Sequence, residues 1–263
     1  MTGAEQVGAI SRAFVDGLRR ILGNKLYGAY LYGAVAFHEA APTGDIDFHV
    51  ILKSDLTESE RSELEALHES LARRFPPPVS RPPGAKCGEL DGYYILLSDA
   101  RGKTPPKSQM WSRATDDSWA LHREHIRAGR HIVLHGPDPT SIYPPATWPE
   151  IEAALFGELA YVEKVLHEHP DYCILNLCRL IYSFEKRDVV VSKAQAADWA
   201  LEALPEWRRC IELAKKSYAG QATSEDREFM LAEVRRLLEF ARLRIERASE
   251  RGARSRRGRL EKR

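Results

Sequence analysis

Two aspartates, Asp45 and Asp47, stand two positions apart in Gly44-Asp-Ile-Asp-Phe-His-Val50. In an extended chain, residues two apart project from the same face. Both carboxylates therefore share one side, while Ile46, Phe48 and Val50 share the other and face a core. Neighbouring carboxylates repel unless a cation sits between them. Hard oxygen donors so arranged suit magnesium, which keeps its other positions for water and substrate phosphates. Taken alone, the same spacing also describes a polar strand end, with Gly44 and Asp45 serving a turn. A third carboxylate is offered by Cys87-Gly-Glu-Leu-Asp-Gly-Tyr93, where Glu89 and Asp91 share a strand face by parity. Asp91 is preferred as a general base because Gly92 follows it and would let a ligand approach the backbone. Glu89 is the alternative.

These residues need strands to carry them. Val7, Ile10, Phe14, Leu18 and Ile21 recur at helical spacing and predict an amphipathic helix over 4–22. An apolar, aromatic strand over 25–32 ends at Gly33, and Asp45 follows twelve residues later at the head of a second strand, 46–52. Backbone amides at a turn such as Gly33-Ala34 are donors suited to phosphate. Thr57-x-x-Glu60 is a capping box opening a helix that carries Leu64, Leu67 and Leu71. Prolines 76–78, 82 and 83 exclude regular structure before a third strand over 90–97.

A second proline-rich stretch, 136–149, is the expected domain boundary. Beyond it the pattern is helical over 155–167, 172–185 and 193–204, and in a long helix holding Met230, Val234, Leu237, Ala241 and Ile245. The predicted fold class is α+β: an α/β domain with a mixed sheet over 1–140, an all-α bundle over 141–250, and a basic, disordered tail over 251–263. The tail's arginines could touch nucleic acid or membrane, but its few apolar anchors favour a solvated end. Within the bundle, Asn176, Arg179 and Ser183 form one polar stripe on an otherwise apolar helix. A buried arginine there needs an anion, either a phosphate or an internal carboxylate.

Composition narrows the functional classes. The chain has 263 residues with 39 basic and 38 acidic side chains, so no overall field draws it to nucleic acid. No run of apolar residues is long enough to span a bilayer, and Met1 is not followed by a leader pattern, so a cytoplasmic, monomeric protein is expected. Cys87, Cys173, Cys178 and Cys210 have neither metal-ligand nor disulfide-framework spacing. His122, His125 and His131 likewise lack zinc spacing and are expected to be structural, and Trp119 and Trp199 to be core residues.

The order strand, Gly33, Asp45-x-Asp47 resembles the signature of the nucleotidyltransferase superfamily, in which a glycine-serine turn cradles triphosphate oxygens and two aspartates hold two metal ions. Ala34 stands where the serine is usual. In the helical half, Asn176-Leu-Cys-Arg-Leu-Ile-Tyr182 and Ser192-Lys-Ala-Gln-Ala-Ala-Asp-Trp-Ala-Leu-Glu-Ala-Leu-Pro205 resemble the C-terminal domain of bacterial streptomycin/spectinomycin adenylyltransferases. The resemblance covers residues 5–250, both domains in the same order.

That resemblance implies magnesium-dependent transfer of AMP from ATP to a hydroxyl of an aminoglycoside or aminocyclitol antibiotic. It implies Asp45 and Asp47 as ligands of two magnesium ions and Asp91, where relatives have glutamate, as the base. Gly33, Ala34, Arg179, Lys193 and Tyr218 would contact the nucleotide, and Trp111 and Asp171 the antibiotic, which would be held between the domains. A tryptophan that helps select streptomycin is not matched, so spectinomycin is the favoured acceptor. The rivals are a transferase acting on another small-molecule or protein hydroxyl, and a degenerate nucleotide-binding or antitoxin-like protein with Ala34 as its mark.

Overall fold

A computed structural model of the chain describes residues 3–37, 45–76, 90–111 and 116–260. The chain divides into two units, Met1–Ala154 and Leu155–Arg263.

In the first unit the helical pattern at the start forms α1 (Gly3–Leu22). Three strands follow in the positions the parity predicts: β1 (Leu26–Tyr32), β2 (Ile46–Leu52) and β3 (Leu90–Leu96). Between β2 and β3 lies α2 (Glu58–Arg74). Its capping box is formed: Glu60 N donates to Thr57 Oγ1 at 3.3 Å and Thr57 N to a Glu60 carboxylate oxygen at 2.6 Å. A short turn α3 (Leu97–Ala100), then α4 (Trp119–Arg127) and β4 (Ile132–His135), complete the sheet unit. The strand order is β3-β2-β1-β4. β1 runs antiparallel to β2 and β4, whereas β2 and β3 run parallel, which the intervening α2 crossover permits.

Alternation gives the sheet two different faces. Ile46, Phe48, Val50 and Leu52 join Phe14 and Leu18 of α1 and Leu64 and Leu71 of α2 in one core, with the Phe14 and Phe48 rings 5.0 Å apart. On the opposite face Tyr30, Tyr32, Ile51 and Ile95 pack with Trp119 and Ile126 of α4 and with Ile142 and Tyr143. The site lies at one end of this second face.

The proline-rich stretch does not end the unit. Arg123 of α4 is fully buried and donates to Glu150 at 2.6 Å and to the Pro144 carbonyl at 3.3 Å. That anchor keeps residues 136–150 with the sheet unit, and the division falls at Ala154, inside α5 (Trp148–Lys164), instead of at residue 140.

The second unit is helical: α6 (Pro170–Lys186), α7 (Lys193–Ala203), α8 (Arg208–Tyr218) and α9 (Ser224–Leu260). Its centre is α6, whose Cys173, Ile174, Leu177, Cys178 and Ile181 are all buried, as are Met230, Val234, Leu237, Ala241 and Ile245 of α9. Burial pushes the thiols of Cys173, Cys178 and Cys210 up to about 12, as for inert packing groups. α9 continues to Leu260, over residues expected to form a disordered tail. Arginine, leucine and glutamate are strong helix formers, and an existing helix propagates through them without an apolar stripe. Among the described residues no helix is long and apolar enough to cross a membrane.

Candidate active site

β1 ends at Tyr32, and Gly33 turns the chain with φ +66° into a short helical turn, Gly33–Ala36. Phe37 N closes that turn on the Ala34 carbonyl at 3.2 Å. A Cβ on Gly33 would stand 1.8 Å from Asp47 Oδ2. Glycine is required here on two counts, its left-handed backbone and the carboxylate lying against it. In the sheet register Tyr32 faces Asp47 across β1 and β2, and Asp47 faces Asp91 across β2 and β3. Gly33, Asp47 and Asp91 therefore meet at one end of three adjacent strands. Asp45 shares the parity of Asp47, and all three aspartates are half-buried, open to a ligand. Glu89 and Gly44 lie outside the described residues.

Gly92 has a different role from the one expected. A Cβ there would meet the Phe48 carbonyl oxygen at 2.0 Å, so its bareness serves the packing of β3 on β2 and not the approach of a ligand.

Behind the carboxylates, on the same face, is a polar layer. Tyr32 packs at a tilt against both His49 and His122, with ring centroids 4.4 and 4.7 Å away. His49 Nδ1 is 3.2 Å from the Tyr143 hydroxyl, and His122 Nδ1 donates to Asp116 Oδ2 at 2.7 Å. Burial would raise the Asp116 carboxyl, but the two facing imidazoles outweigh it and hold the group well below the usual carboxylate range. Burial, with Asp116 and Asp47 nearby, pushes the Tyr32 phenol well up and keeps it neutral. In the sequence, the local signals for this layer are the parity of His49 with Asp47 and the expectation that His122 is structural.

Trp111 has φ +57°, uncommon for a side chain of that size, and is 39% exposed. Its ring packs against His68 and Tyr94, centroids 4.8 and 5.9 Å away. Tyr94 belongs to the core of the other sheet face, so Trp111 sits across the sheet from the face that carries Asp47 and Asp91.

In the helical unit, α7 opens on a second capping box, Ser192 with Gln195, which sets Lys193 at its first turn. The Lys193 ammonium lies 4.2 Å from the Tyr172 ring centroid and 5.7 Å from that of Tyr218, a cation-π arrangement. Asp171 accepts from Ser217 Oγ at 2.6 Å, joining the start of α6 to the end of α8. Arg179 is 23% exposed, not buried, and pairs with Glu158 of α5 at 3.3 Å. The internal carboxylate is thus its partner here. Both act on the Tyr172 phenol: burial raises it first, Glu158 adds to the rise and Arg179 opposes it. The structure so gathers Asp171, Arg179, Lys193 and Tyr218 about Tyr172.

Residues 145–243 match the family model of the aminoglycoside adenylyltransferase C-terminal domain. Across both halves, the chain is 23% identical over 244 residues to a spectinomycin 9-adenylyltransferase of Campylobacter jejuni, covering 86% of this chain and 90% of the relative. The chain is thus similar to aminoglycoside adenylyltransferases, through the matched C-terminal domain and at low identity over most of its length. The chain also shares its fold with a spectinomycin adenyltransferase of Enterococcus faecialis, solved with ATP and spectinomycin. The TM-score is 0.70 at 18% identity, over 89% of this chain and 98% of the other. The α6–α7 pattern singled out in the sequence lies within the matched residues.

Proposed function

We propose that this protein transfers AMP from ATP to a hydroxyl of an aminocyclitol or aminoglycoside antibiotic, with spectinomycin a better acceptor than streptomycin. The observation that carries the reading is the register pairing of Asp47 with Asp91, beside a glycine emptied for the Asp47 carboxylate. An all-oxygen donor set of half-buried carboxylates on one sheet face fits magnesium, and Asp45 and Asp47 are the residues that would hold two ions. Bound there, magnesium neutralises charge on the triphosphate and on departing pyrophosphate.

Asp91 accepts the proton of the acceptor hydroxyl. That oxygen attacks the α-phosphorus in line, a new phosphate ester forms, and the bond to pyrophosphate breaks. The Gly33-Ala34 turn offers backbone amides to the triphosphate. Lys193, held against Tyr172 and bordered by Tyr218, supplies positive charge to the phosphates, as does Arg179, whose guanidinium Glu158 orients. Asp171 is assigned to a cationic amine of the antibiotic. Trp111 offers a flat face, on the opposite side of the sheet from Asp91.

The test is pyrophosphate release from magnesium-ATP across an aminocyclitol and aminoglycoside panel, with inhibitory concentrations measured in a susceptible bacterium expressing the protein. Spectinomycin should give the fastest release and the strongest protection. Streptomycin protection without spectinomycin protection would reverse the ordering. ATP binding without transfer to any acceptor would move the reading to a nucleotide-binding protein, with the missing hydroxyl at Ala34 as its physical basis.

A further inference from the structure

We propose that His49, Asp116 and His122 form a site for one divalent cation of the zinc class, distinct from the carboxylates at the sheet end. The three residues come from separate parts of the first unit: His49 from β2, Asp116 from just before α4, and His122 from within α4. One ligand atom from each lies within 4.8 Å of the others. Zinc bonds of about 2.0–2.2 Å in a tetrahedral site keep donors about 3.3 Å apart, so small side-chain rotations close the set. Two imidazole nitrogens and one carboxylate oxygen are donors that zinc accepts and magnesium does not favour.

Two observations point to a ion in that space. His49 Nε2 and Asp116 Oδ1 are both buried and have no hydrogen-bond partner. The nearest approach, His49 Nε2 to Asp116 Oδ2, is 3.7 Å, too long for a hydrogen bond. As placed, the hydrogen bonds to Asp116 leave these two atoms unsatisfied, whereas a cation would take both at once. The Tyr143 hydroxyl at the other ring nitrogen of His49 is the outer contact that fixes a ligating imidazole and turns its Nε2 lone pair inward. When the cation binds, the hydrogen bond from His122 to Asp116 Oδ2 breaks and the imidazole ligates as the neutral base, releasing a proton if it was charged. His122, with 23% of its side chain exposed, gives access from solvent and leaves the fourth position to water. The bound cation would pin α4 to β2 directly behind Tyr32.

The inference stands on this cluster alone and is independent of the adenylyl-transfer reading. Chelator-stripped full-length protein, kept in excess magnesium to occupy the sheet-end carboxylates, is titrated with zinc against a chromophoric competitor. One equivalent should bind. It should be retained in Asp47→Asn and weakened by more than about 100-fold in His122→Ala. Cobalt in place of zinc should give the visible bands of a four-coordinate nitrogen–oxygen site. No bound zinc in the wild type overturns the proposal, as does undiminished binding in His122→Ala or loss of binding in Asp47→Asn. Should His122→Ala fail to fold, His122→Asn repeats the comparison, and a six-coordinate cobalt spectrum in the wild type sinks the site.

Discussion

The Asp47 carboxylate occupies the volume that a side chain on Gly33 would need, its Oδ2 standing 1.8 Å from the Cβ position. The carboxylate proposed to bind metal thereby lies in the space left by a neighbouring residue's missing side chain. Gly33→Ala should displace Asp47 and lower turnover by about 100-fold or more. Stability should fall by only about 1–2 kcal/mol, the ordinary penalty of a left-handed alanine, because the half-buried carboxylate can swing away. Pyrophosphate release read beside thermal unfolding checks this. Near-normal turnover would mean that the position of Asp47 does not matter.

Asp47 and Asp91 face each other in register with like charge, a destabilising cross-strand pair when no cation intervenes. Asp47→Asn should abolish transfer while the metal-free protein melts at the same temperature or higher. Asp91→Asn should lower kcat by about 10²- to 10⁴-fold with little change in ATP affinity, as expected for a base that acts on the acceptor. Collapse of ATP binding in the second variant would make Asp91 a metal ligand instead.

Lys193→Met removes the charge and keeps much of the stem that lies on Tyr172. KM for ATP should rise about tenfold or more, corresponding to the loss of a charge-assisted contact, while kcat falls less. Steady-state kinetics over a range of ATP concentrations separates the two constants. An unchanged KM would place the nucleotide elsewhere.

Ala34→Ser places a hydroxyl on a half-exposed turn. ATP should bind up to about tenfold more tightly. Calorimetric titration giving an unchanged constant would mean that backbone amides alone serve the triphosphate at this turn.

The Glu150 carboxyl carries a pH dependence. Burial would raise it, but Thr147 and the buried Arg123 outweigh this and lower it from 4.5 to about 2. A folded-state value below the unfolded one means that the stabilisation is present above pH about 4.5 and is lost as the pH falls toward about 2. Glu150→Gln should flatten the acid limb of the stability profile by about 2–3 kcal/mol. Urea unfolding from pH 6 down to pH 2.5 measures it, and equal slopes in both proteins would remove the assignment.

What was legible in the sequence was what local periodicity encodes. Parity fixed the faces of β2 and β3, and helical spacing placed Leu64 and Leu71 inward. The capping box at Thr57 and Glu60 marks the start of α2. The unread features depend on chain segments that meet only in the fold. No spacing rule joins His49 to Asp116 and His122, and nothing near Arg179 in sequence announces Glu158 as its partner. The helix α8 escaped because its buried set, Cys210, Ile211 and Ala214, is short and lies among charged residues. Trp111 was placed by motif proximity, and only the alternation of β3 shows which face its neighbour Tyr94 occupies.

The mixed direction of the sheet bears on the order in which it can assemble. Antiparallel β1 and β2 are joined by a comparatively short connection, whereas parallel β3 must wait for the α2 crossover. Loop closure makes the more distant pairing the slower one. Asp91 therefore reaches Asp47 after the two central strands have met, and the mutual repulsion of the two carboxylates is deferred until that central pair is in place to resist it. A cost imposed by function thus falls where it least obstructs folding.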